Sequence, residues 1–445
     1  MQRALTLLFL SSVVLLGGCS SERAEIAAND PHVHSLEDLS IEALRDRKYG
    51  SLINIEYEVQ GRPSPSFMAS YDSDGLHVYT RIDLPAGPAP ENGFPVVMFV
   101  HGWMGIDAAP SLDFYYDGLS DYSRTIDAFV EAGFAVVVPG WRGHGTINDR
   151  PADGIQFMQA WDNGSYVSPV FYAIDVLNLL DSLPTFSEAP LDLSNINLWG
   201  HSQGGDVALQ VLAIAGEDSG VDNVIHAASI WSGNIPSRLV QLENFWPMQA
   251  SQQAFMSGDG SWNGTAVGSD GSINPHFVFG YPADWITTVK PAEWTWQNDV
   301  WVEATVADAI EIKLEQMYDA VNEFVIDYPE AHYAIDRHDG DKTTISHEAW
   351  VIEGLGRIGG FAYEQYLSEA LNLHHSDRDF YSLPEWNADL CQRINAAAGQ
   401  CVDYSYFGNT HSLKVSEHEW FSPSDSIAGF SLAIQRDIKI FSDAE

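Results

Sequence analysis

Basic residues are scarce in this sequence. Of its 445 residues, 21 are Lys or Arg and 62 are Asp or Glu, which gives a formal net charge of −41 at pH 7. Proteins that bind nucleic acids or anionic membranes neutralise phosphate groups with Lys and Arg. The composition therefore argues against both ligands. It predicts a strongly hydrated acidic surface, and an acidic pocket for cationic substrates is the alternative.

Cysteine is scarce as well, with three residues, at positions 19, 391 and 401. The sequence has no spacing typical of a zinc site, no redox motif, no Gly-rich phosphate loop and no dinucleotide fingerprint. We therefore expect no metal and no cofactor. His32 and His34 form a His-x-His pair, which we interpret as solvated because the surrounding segment is polar.

A long hydrophobic run is also missing. Arg3 is followed by the short apolar run 4–16, and then by Gly17-Gly18-Cys19. A charged start, a short apolar core and small residues before a cleavage point indicate a signal peptide over residues 1–18, since the run is too short to span a membrane.

Leu16-Gly17-Gly18-Cys19 resembles the lipobox of bacterial lipoproteins. The resemblance implies cleavage before Cys19 and acylation of that cysteine, and Ser20 directly after it favours the outer membrane. We predict an exported lipoprotein, periplasmic or on the cell surface, that touches the membrane only through its lipid anchor. An ordinary signal peptide with a chance cysteine is the alternative.

An exported chain meets an oxidising compartment, so the remaining pair, Cys391 and Cys401, predicts a disulfide. Two buried free thiols are the alternative. Residues 19–48 are mostly polar and are interpreted as a tether, with one short amphipathic helix at Leu36–Leu44.

The central part of the chain alternates between strand and helix patterns. Val96–Val100, Phe134–Val138 and Ile225–Trp231 are continuous apolar runs, as expected of strands covered on both faces. Helical patterns separate them, which predicts a mostly parallel central sheet flanked by helices, with right-handed crossovers. Hydrophobic residues make up 45% of the chain, enough for a packed core.

The alternation stops at about residue 233 and resumes with the strand pattern Ala370–His375. We interpret 49–445 as one domain with a large cap inserted at about 233–366. The cap contains seven of the fourteen tryptophans and a predicted helix over Glu303–Tyr328.

Gly200-His201-Ser202-Gln203-Gly204 stands between a strand pattern and a helix pattern. Strand, Gly-x-Ser-x-Gly and helix resemble the nucleophile elbow of α/β-hydrolases. The resemblance implies the α/β-hydrolase fold, with Ser202 as the nucleophile of an acyl transfer. In that family the catalytic order along the chain is serine, acid, histidine.

The base is predicted to be His411, which follows the last strand pattern, at 402–407. His418 is the alternative, although Glu417-His418-Glu419 is more typical of a solvated helix face.

The acid is predicted from a second resemblance. His375-Ser376-Asp377-Arg378-Asp379 is similar to the His-Gly-x-x-Asp pattern of prolyl oligopeptidase-type catalytic domains, with Ser376 in place of the glycine. This assigns Asp379 as the acid and leaves Asp377 as the alternative acid. The resemblance covers about 95–232 and 367–441. It includes neither the cap nor the β-propeller that carries the amine-binding groups of dipeptidyl peptidases, so that specificity does not carry over.

An oxyanion intermediate needs two backbone N–H donors. The N–H of Gln203, directly after the nucleophile, is the first candidate. His101-Gly102-Trp103 resembles the family's His-Gly-x motif and points to the N–H of Trp103 as the second. Arg142, in a similar turn, is interpreted as structural.

Together these residues predict a serine hydrolase that acts on a small ester substrate, most simply a carboxylic ester hydrolase. A prolyl oligopeptidase-type peptidase for short peptides is the alternative. A non-catalytic surface protein that binds through the aromatic residues of the cap is the third hypothesis.

Overall fold

The computed structural model describes most of the predicted hydrolase domain. The described residues are 36–105, 108–116, 121–156, 158, 168–216, 218–236, 334–338, 342–346, 357–377, 379, 382, 384–408, 410–414 and 427–443. The predicted signal peptide, Cys19, His32, His34, His418 and the predicted helix at 303–328 lie outside these residues.

Thirteen strands occur within the described residues. In chain order they are β1 (Asn54–Glu58), β2 (Ser66–Ser73), β3 (Leu76–Asp83), β4 (Phe94–Val100), β5 (Ala135–Pro139), β6 (Thr146–Ile147), β7 (Arg150–Pro151), β8 (Leu191–His201), β9 (Ile225–Trp231), β10 (Ala334–His338), β11 (Lys342–Ser346), β12 (Ala370–Ser376) and β13 (Gln400–Tyr406).

Nine of these strands form one sheet, in the order β1-β2-β3-β5-β4-β8-β9-β12-β13. The pairs from β1 to β5 are antiparallel, and every pair from β5 to β13 is parallel. The predicted mostly parallel sheet is therefore confirmed. The remaining strands of the described part pair as the short ladders β6-β7 and β10-β11.

Helices cover both faces of the sheet. They are α1 (Ile41–Arg45), α2 (Asp121–Glu131), α3 (Ser168–Ser182), α4 (Gln203–Ile214), α5 (Pro384–Ala396) and α6 (Ala428–Ser442). Val96, Met98 and Val100 of β4 belong to the apolar cluster of α3 and α4, whereas Val97 and Phe99 belong to that of α2 and α6. This alternation explains why β4 is apolar throughout, since both of its faces are buried.

The parallel register brings the carboxyl ends of the central strands to one edge. Val100 of β4 pairs with Gly200 of β8, His201 of β8 pairs with Trp231 of β9, and Ser376 of β12 pairs with Tyr406 of β13. The loops that carry the three predicted catalytic residues and the His-Gly-Trp motif therefore all leave the sheet at the same edge, where ligands bind in open α/β sheets.

The packed structure begins earlier than the predicted tether boundary at residue 48. Leu39, Ile41 and Leu44 are completely buried in the main core. The guanidinium of Arg45 donates a 2.7 Å hydrogen bond to the carbonyl of Ala213 at the end of α4. A tether over 19–48 is thus wrong for its last ten residues or so, because three apolar side chains within six residues are enough to dock a short helix.

Only parts of the predicted cap are described. Ala334–His338 and Lys342–Ser346 form an antiparallel hairpin. At the other end Ile358 is buried in the main core, and a Cβ on Gly360 would lie 2.5 Å from the carbonyl oxygen of Leu209 in α4. The main domain therefore resumes by about residue 358, earlier than the predicted boundary at 366.

The predicted disulfide between Cys391 of α5 and Cys401 of β13 is present. Within the ranges given above, none of the helices combines the length and apolarity needed to cross a membrane.

Candidate active site

The turn at Ser202 is sharp and strained. Ser202 has φ 57° and ψ −124° between β8 and α4, a backbone conformation that non-glycine residues rarely adopt. A Cβ on Gly200 would lie 2.4 Å from the carbonyl oxygen of Gly204, and one on Gly204 would lie 2.1 Å from that of His101. The two glycines are therefore required by close backbone approaches, which explains the Gly-x-Ser-x-Gly spacing.

Neighbouring backbone groups fix this strained turn. The N–H of Ser202 donates to the carbonyl of Trp231 at 3.0 Å, and the Ser202 carbonyl accepts from the N–H of Asn234, also at 3.0 Å. The side chain of Ser202 stays partly accessible at the edge of the sheet.

The structure brings His411 and Asp379 together. Nδ1 of His411 lies 3.0 Å from Oδ1 and 2.9 Å from Oδ2 of Asp379, and both residues are buried. A carboxylate can only accept, so Nδ1 of His411 carries a hydrogen and donates it to Asp379. Oδ1 of Asp379 also accepts from the N–H of Ser382 at 3.1 Å, which fixes the orientation of the carboxylate.

Asp377 has a different environment although it is only two residues away. Its Oδ1 accepts the backbone N–H of Gly408 at 3.0 Å, and its own N–H donates to the carbonyl of Tyr406 at 2.7 Å. Asp377 therefore ties the loop after β12 to the loop after β13, and the geometry favours Asp379 as the partner of His411. The role of either residue in a reaction stays a prediction.

The predicted oxyanion loop lies beside Ser202. A Cβ on Gly102 would lie 3.1 Å from Cβ of Ser202 and 2.6 Å from the hydroxyl of Tyr122. The carbonyl of Gly102 accepts a 2.8 Å hydrogen bond from Nδ1 of His101. Because a trans peptide places N–H opposite to C=O, this bond sets the direction of the Trp103 N–H. Gln203, the other predicted donor, begins α4, where first-turn N–H groups lack partners within the helix.

Burial keeps His101 neutral in this loop. Desolvation, followed by the neighbouring His144, lowers the pKa of His101 from 6.5 to about 3. The ring stacks on Trp141 with 3.9 Å between centroids. The indole of Trp103, in contrast, is 65% exposed, which makes it an apolar surface next to the predicted oxyanion donor.

Arg142 is completely buried and forms a 2.8 Å ion pair with the buried Asp175 of α3. The Asp175 carboxylate also accepts from the N–H of Arg142 and from the hydroxyl of Ser73. These contacts support the structural interpretation of Arg142.

Sequence reasoning missed two residues at this edge, His201 and Tyr122. Nε2 of His201 lies 2.9 Å from the carbonyl oxygen of His411, and Nδ1 lies 2.6 Å from the hydroxyl of Tyr122. His201 was visible only as a variable position of the elbow motif, and Tyr122 belongs to the polar first turn of α2, which carries no motif.

For metals, the part of the chain that the structure describes contains no cluster of three or more His, Cys, Asp or Glu side chains that could hold an ion.

Residues 95–274 match the sequence model of a family described as having the alpha/beta hydrolase fold. That range includes the elbow, the oxyanion loop and the central strands of the sheet. The chain has the α/β-hydrolase fold. None of the curated proteins matches this sequence at a significant level.

Solved structures with this fold are similar at low sequence identity. A puromycin-hydrolyzing peptidase of Mycobacterium tuberculosis is 11% identical over 86% of this chain and 39% of its own, with a TM-score of 0.49. Acetyl xylan esterase 1 of Thermoanaerobacterium sp. is 12% identical over 95% of this chain and 98% of its own, with a TM-score of 0.44. Est1E of Butyrivibrio proteoclasticus, solved with ferulic acid, is 14% identical over 84% of this chain and 98% of its own, with a TM-score of 0.40.

This chain spans about two fifths of the length of the first matched structures, which are peptidases.

Proposed function

We propose that this protein is a serine hydrolase in which Ser202 is the nucleophile, His411 the general base and Asp379 the residue that orients the base. The observation that carries the proposal is the buried contact between His411 Nδ1 and Asp379, on loops that leave the sheet at the same edge as the strained turn of Ser202. In this proposal the three residues supply a nucleophile, a base and an orienting acid in the order typical of α/β-hydrolases.

The proposed reaction proceeds through an acyl-enzyme. Nε2 of His411 takes the proton of the Ser202 hydroxyl as Oγ attacks the substrate carbonyl carbon. The N–H groups of Gln203 and Trp103 stabilise the resulting oxyanion, and His411 then returns the proton to the leaving group. Water, deprotonated by His411, attacks the acyl-enzyme, releases the carboxylic acid and restores Ser202.

We propose carboxylic esters as the substrate class. The exposed indole of Trp103 offers an apolar contact surface directly beside the proposed oxyanion donor, which suits the acyl or alcohol part of a small ester. A peptidase acting on short peptides is the second candidate, favoured by the likeness of residues 375–379 to the acid motif of prolyl oligopeptidase-type enzymes.

Turnover of p-nitrophenyl acyl esters and of aminoacyl- and prolyl-nitroanilides by the purified protein separates the two candidates. We expect ester turnover that is lost in Ser202→Ala. Clear nitroanilide turnover without ester turnover would establish the peptidase instead. A folded protein that turns over neither substrate and does not react with a fluorophosphonate would support the third hypothesis, a non-catalytic binding protein.

The proposed cellular location is the outer membrane, with the chain anchored through an acylated Cys19. The disulfide between Cys391 and Cys401 supports export, since structural disulfides form in oxidising compartments. Intact-mass analysis of the protein from the membrane fraction tests the anchor, and a mass that shows an unmodified residue 19 would contradict it.

A further inference from the structure

A chain of hydrogen bonds connects the proposed oxyanion loop to the proposed base. The N–H of Gly102 lies 2.8 Å from the hydroxyl oxygen of Tyr122. That hydroxyl lies 2.6 Å from Nδ1 of His201, and Nε2 of His201 lies 2.9 Å from the carbonyl oxygen of His411. The chain crosses four segments that are distant in sequence, namely the loop after β4, α2, the end of β8 and the loop after β13.

The two ends of the chain fix the direction of every bond. A backbone N–H can only donate and a carbonyl oxygen can only accept. Nε2–H of His201 must therefore donate to His411. Burial, followed by the nearby His411, lowers the pKa of His201 to about 3, so the ring is neutral and its Nδ1 accepts. The Tyr122 hydroxyl then donates to Nδ1 and accepts from Gly102, so only one arrangement of protons satisfies all three bonds.

The first turn of α2 makes a second connection to the same loop. The carboxylate of Asp121 lies 2.8 Å from the ammonium of Lys414, three residues after His411. Both side chains are largely buried, with 19% and 11% of their surface exposed, so solvent screens this pair less than an exposed one. Helix α2 therefore connects to the base loop directly through Asp121 and indirectly through Tyr122 and His201.

We propose that Tyr122 and His201 are positioning residues that set the placement of the base backbone relative to the oxyanion loop. The inference rests on the proposed function. Neither residue takes part in proton transfer to or from the substrate. Each acts through a backbone group, Tyr122 on Gly102 and His201 on His411. An error of about 1 Å in such a placement can cost on the order of 100-fold in rate.

Tyr122→Phe removes the central hydroxyl and keeps the ring. We expect kcat on the best ester substrate to fall by about 10- to 100-fold while KM changes by less than about threefold. The change misplaces the groups that react, whereas the surface that binds the substrate is unaltered. The denaturant midpoint should fall, because the buried N–H of Gly102 and Nδ1 of His201 lose their partner, so kcat is measured under conditions in which each variant is fully folded. Tyr116→Phe is the matched control. The Tyr116 ring packs against Tyr122 with 5.1 Å between centroids, and its buried hydroxyl makes no hydrogen bond within the part of the chain that the structure describes. It should keep wild-type kcat.

A double-mutant cycle distinguishes a positioning role from a general structural one, because it measures whether Tyr122 and His201 affect kcat through the same chain of hydrogen bonds. His201→Phe breaks the same chain at its other link, so His201→Phe combined with Tyr122→Phe should reduce kcat no further than the more damaging single change. Rates are expressed per site reactive toward a fluorophosphonate, so that unfolded protein is not counted. Multiplicative effects in the cycle, or wild-type kcat in Tyr122→Phe, would overturn the inference.

The same series separates this inference from the proposed function. If Ser202→Ala is inactive while Tyr122→Phe turns over like the wild type, the serine mechanism stands and the positioning role falls. If Ser202→Ala keeps wild-type turnover, or the wild-type protein has none, both fall.

Discussion

At the scale of single residues, two aspartates that stand two positions apart have different partners. Asp379 contacts Nδ1 of His411, and Asp377 accepts a backbone N–H from Gly408. Asp379→Asn should lower kcat by about 10³- to 10⁴-fold, since an amide can hold His411 in the wrong tautomer. Asp377→Asn should stay within a few-fold of wild type, because its amide oxygen can still accept from Gly408. Steady-state kinetics on a p-nitrophenyl ester measure both, and a larger loss in Asp377→Asn would reverse the assignment of the acid.

The residues that sequence reasoning found and missed differ in their local signature. Ser202 could be predicted because its strained turn demands glycine at positions 200 and 204. Asp379 and His411 follow strand patterns in the family's order. Tyr122 has no such signature, because its role depends on a side-chain contact with His201, 79 positions away, and such contacts leave no trace in local spacing.

At the scale of elements, the final helix α6 is fixed by a buried polar cluster. Asp437 of α6 accepts from the indole N–H of Trp231 in β9 at 2.7 Å and contacts Nε2 of His374 in β12 at 3.0 Å. Asp437→Ala removes the partner of the buried Nε2 of His374 and leaves the indole N–H with only its 3.2 Å contact to the hydroxyl of Ser229. It should reduce the free energy of unfolding by about 2–4 kcal/mol.

Asp443→Ala is the control for that prediction, since Asp443 belongs to an exposed ion pair with Lys439 beside the same helix. Urea denaturation should show an unchanged midpoint for Asp443→Ala and a clearly lower one for Asp437→Ala. Equal midpoints for the two variants would show that the buried cluster does not stabilise α6.

The disulfide between α5 and β13 closes a loop with a sequence separation of 10 residues. Replacing both Cys391 and Cys401 with Ala should cost about 3 kcal/mol of unfolding free energy, chiefly through the entropy of the unfolded chain. Turnover per active site should not change, because the bond lies away from the edge that carries Ser202. Lower turnover per active site, at a temperature where the variant is fully folded, would contradict this separation.

Element boundaries were less predictable than element types. Helix α2 begins at Asp121, whose side chain pairs with Lys414 in the loop of His411, and a polar residue with a partner this distant gives no periodic signal for the start of a helix. The two-residue strands β6 and β7 are too short to show any periodicity. The predicted tether extended too far along the chain. The sequence does not show that Leu39 and Leu44 are buried, because they pack on a surface that the rest of the fold forms.

At the scale of the whole molecule, three buried histidines link stability to pH. Burial is the largest cause that lowers the pKa of His101 and His201 to about 3 and that of His144 to about 4, from 6.5. The unfolded chain therefore binds protons first as the pH falls. Each neutral ring contributes its full stability above about pH 6.5, the pKa in the unfolded chain. This contribution is lost as the pH falls from there toward the pKa in the folded protein, and the free energy of unfolding decreases by on the order of 2 kcal/mol per ring between pH 7 and 5.

The variant His144→Gln isolates one of these contributions. Other groups act in the opposite direction, among them His375, whose pKa is raised by Asp403 against the effect of burial, so a difference between proteins is more informative than one curve. The slope of the unfolding free energy against pH measures how many more protons the unfolded chain binds than the folded protein. Between pH 6 and 5, this difference should be smaller by about one proton in His144→Gln than in the wild type. His226→Gln, at an exposed position of β9, should leave the slope unchanged. An unaltered slope in His144→Gln would mean that His144 is already protonated in the folded protein.

The proposed mechanism requires Ser202 to act as a nucleophile at the carboxyl edge of the sheet. Reaction of the folded protein with a fluorophosphonate, followed by peptide mass spectrometry, tests this most directly. We expect one adduct per chain, located on Ser202, that forms much more slowly in His411→Ala and does not form in Ser202→Ala. Folded wild-type protein that remains unlabelled, or an adduct on another residue, would contradict the proposed mechanism.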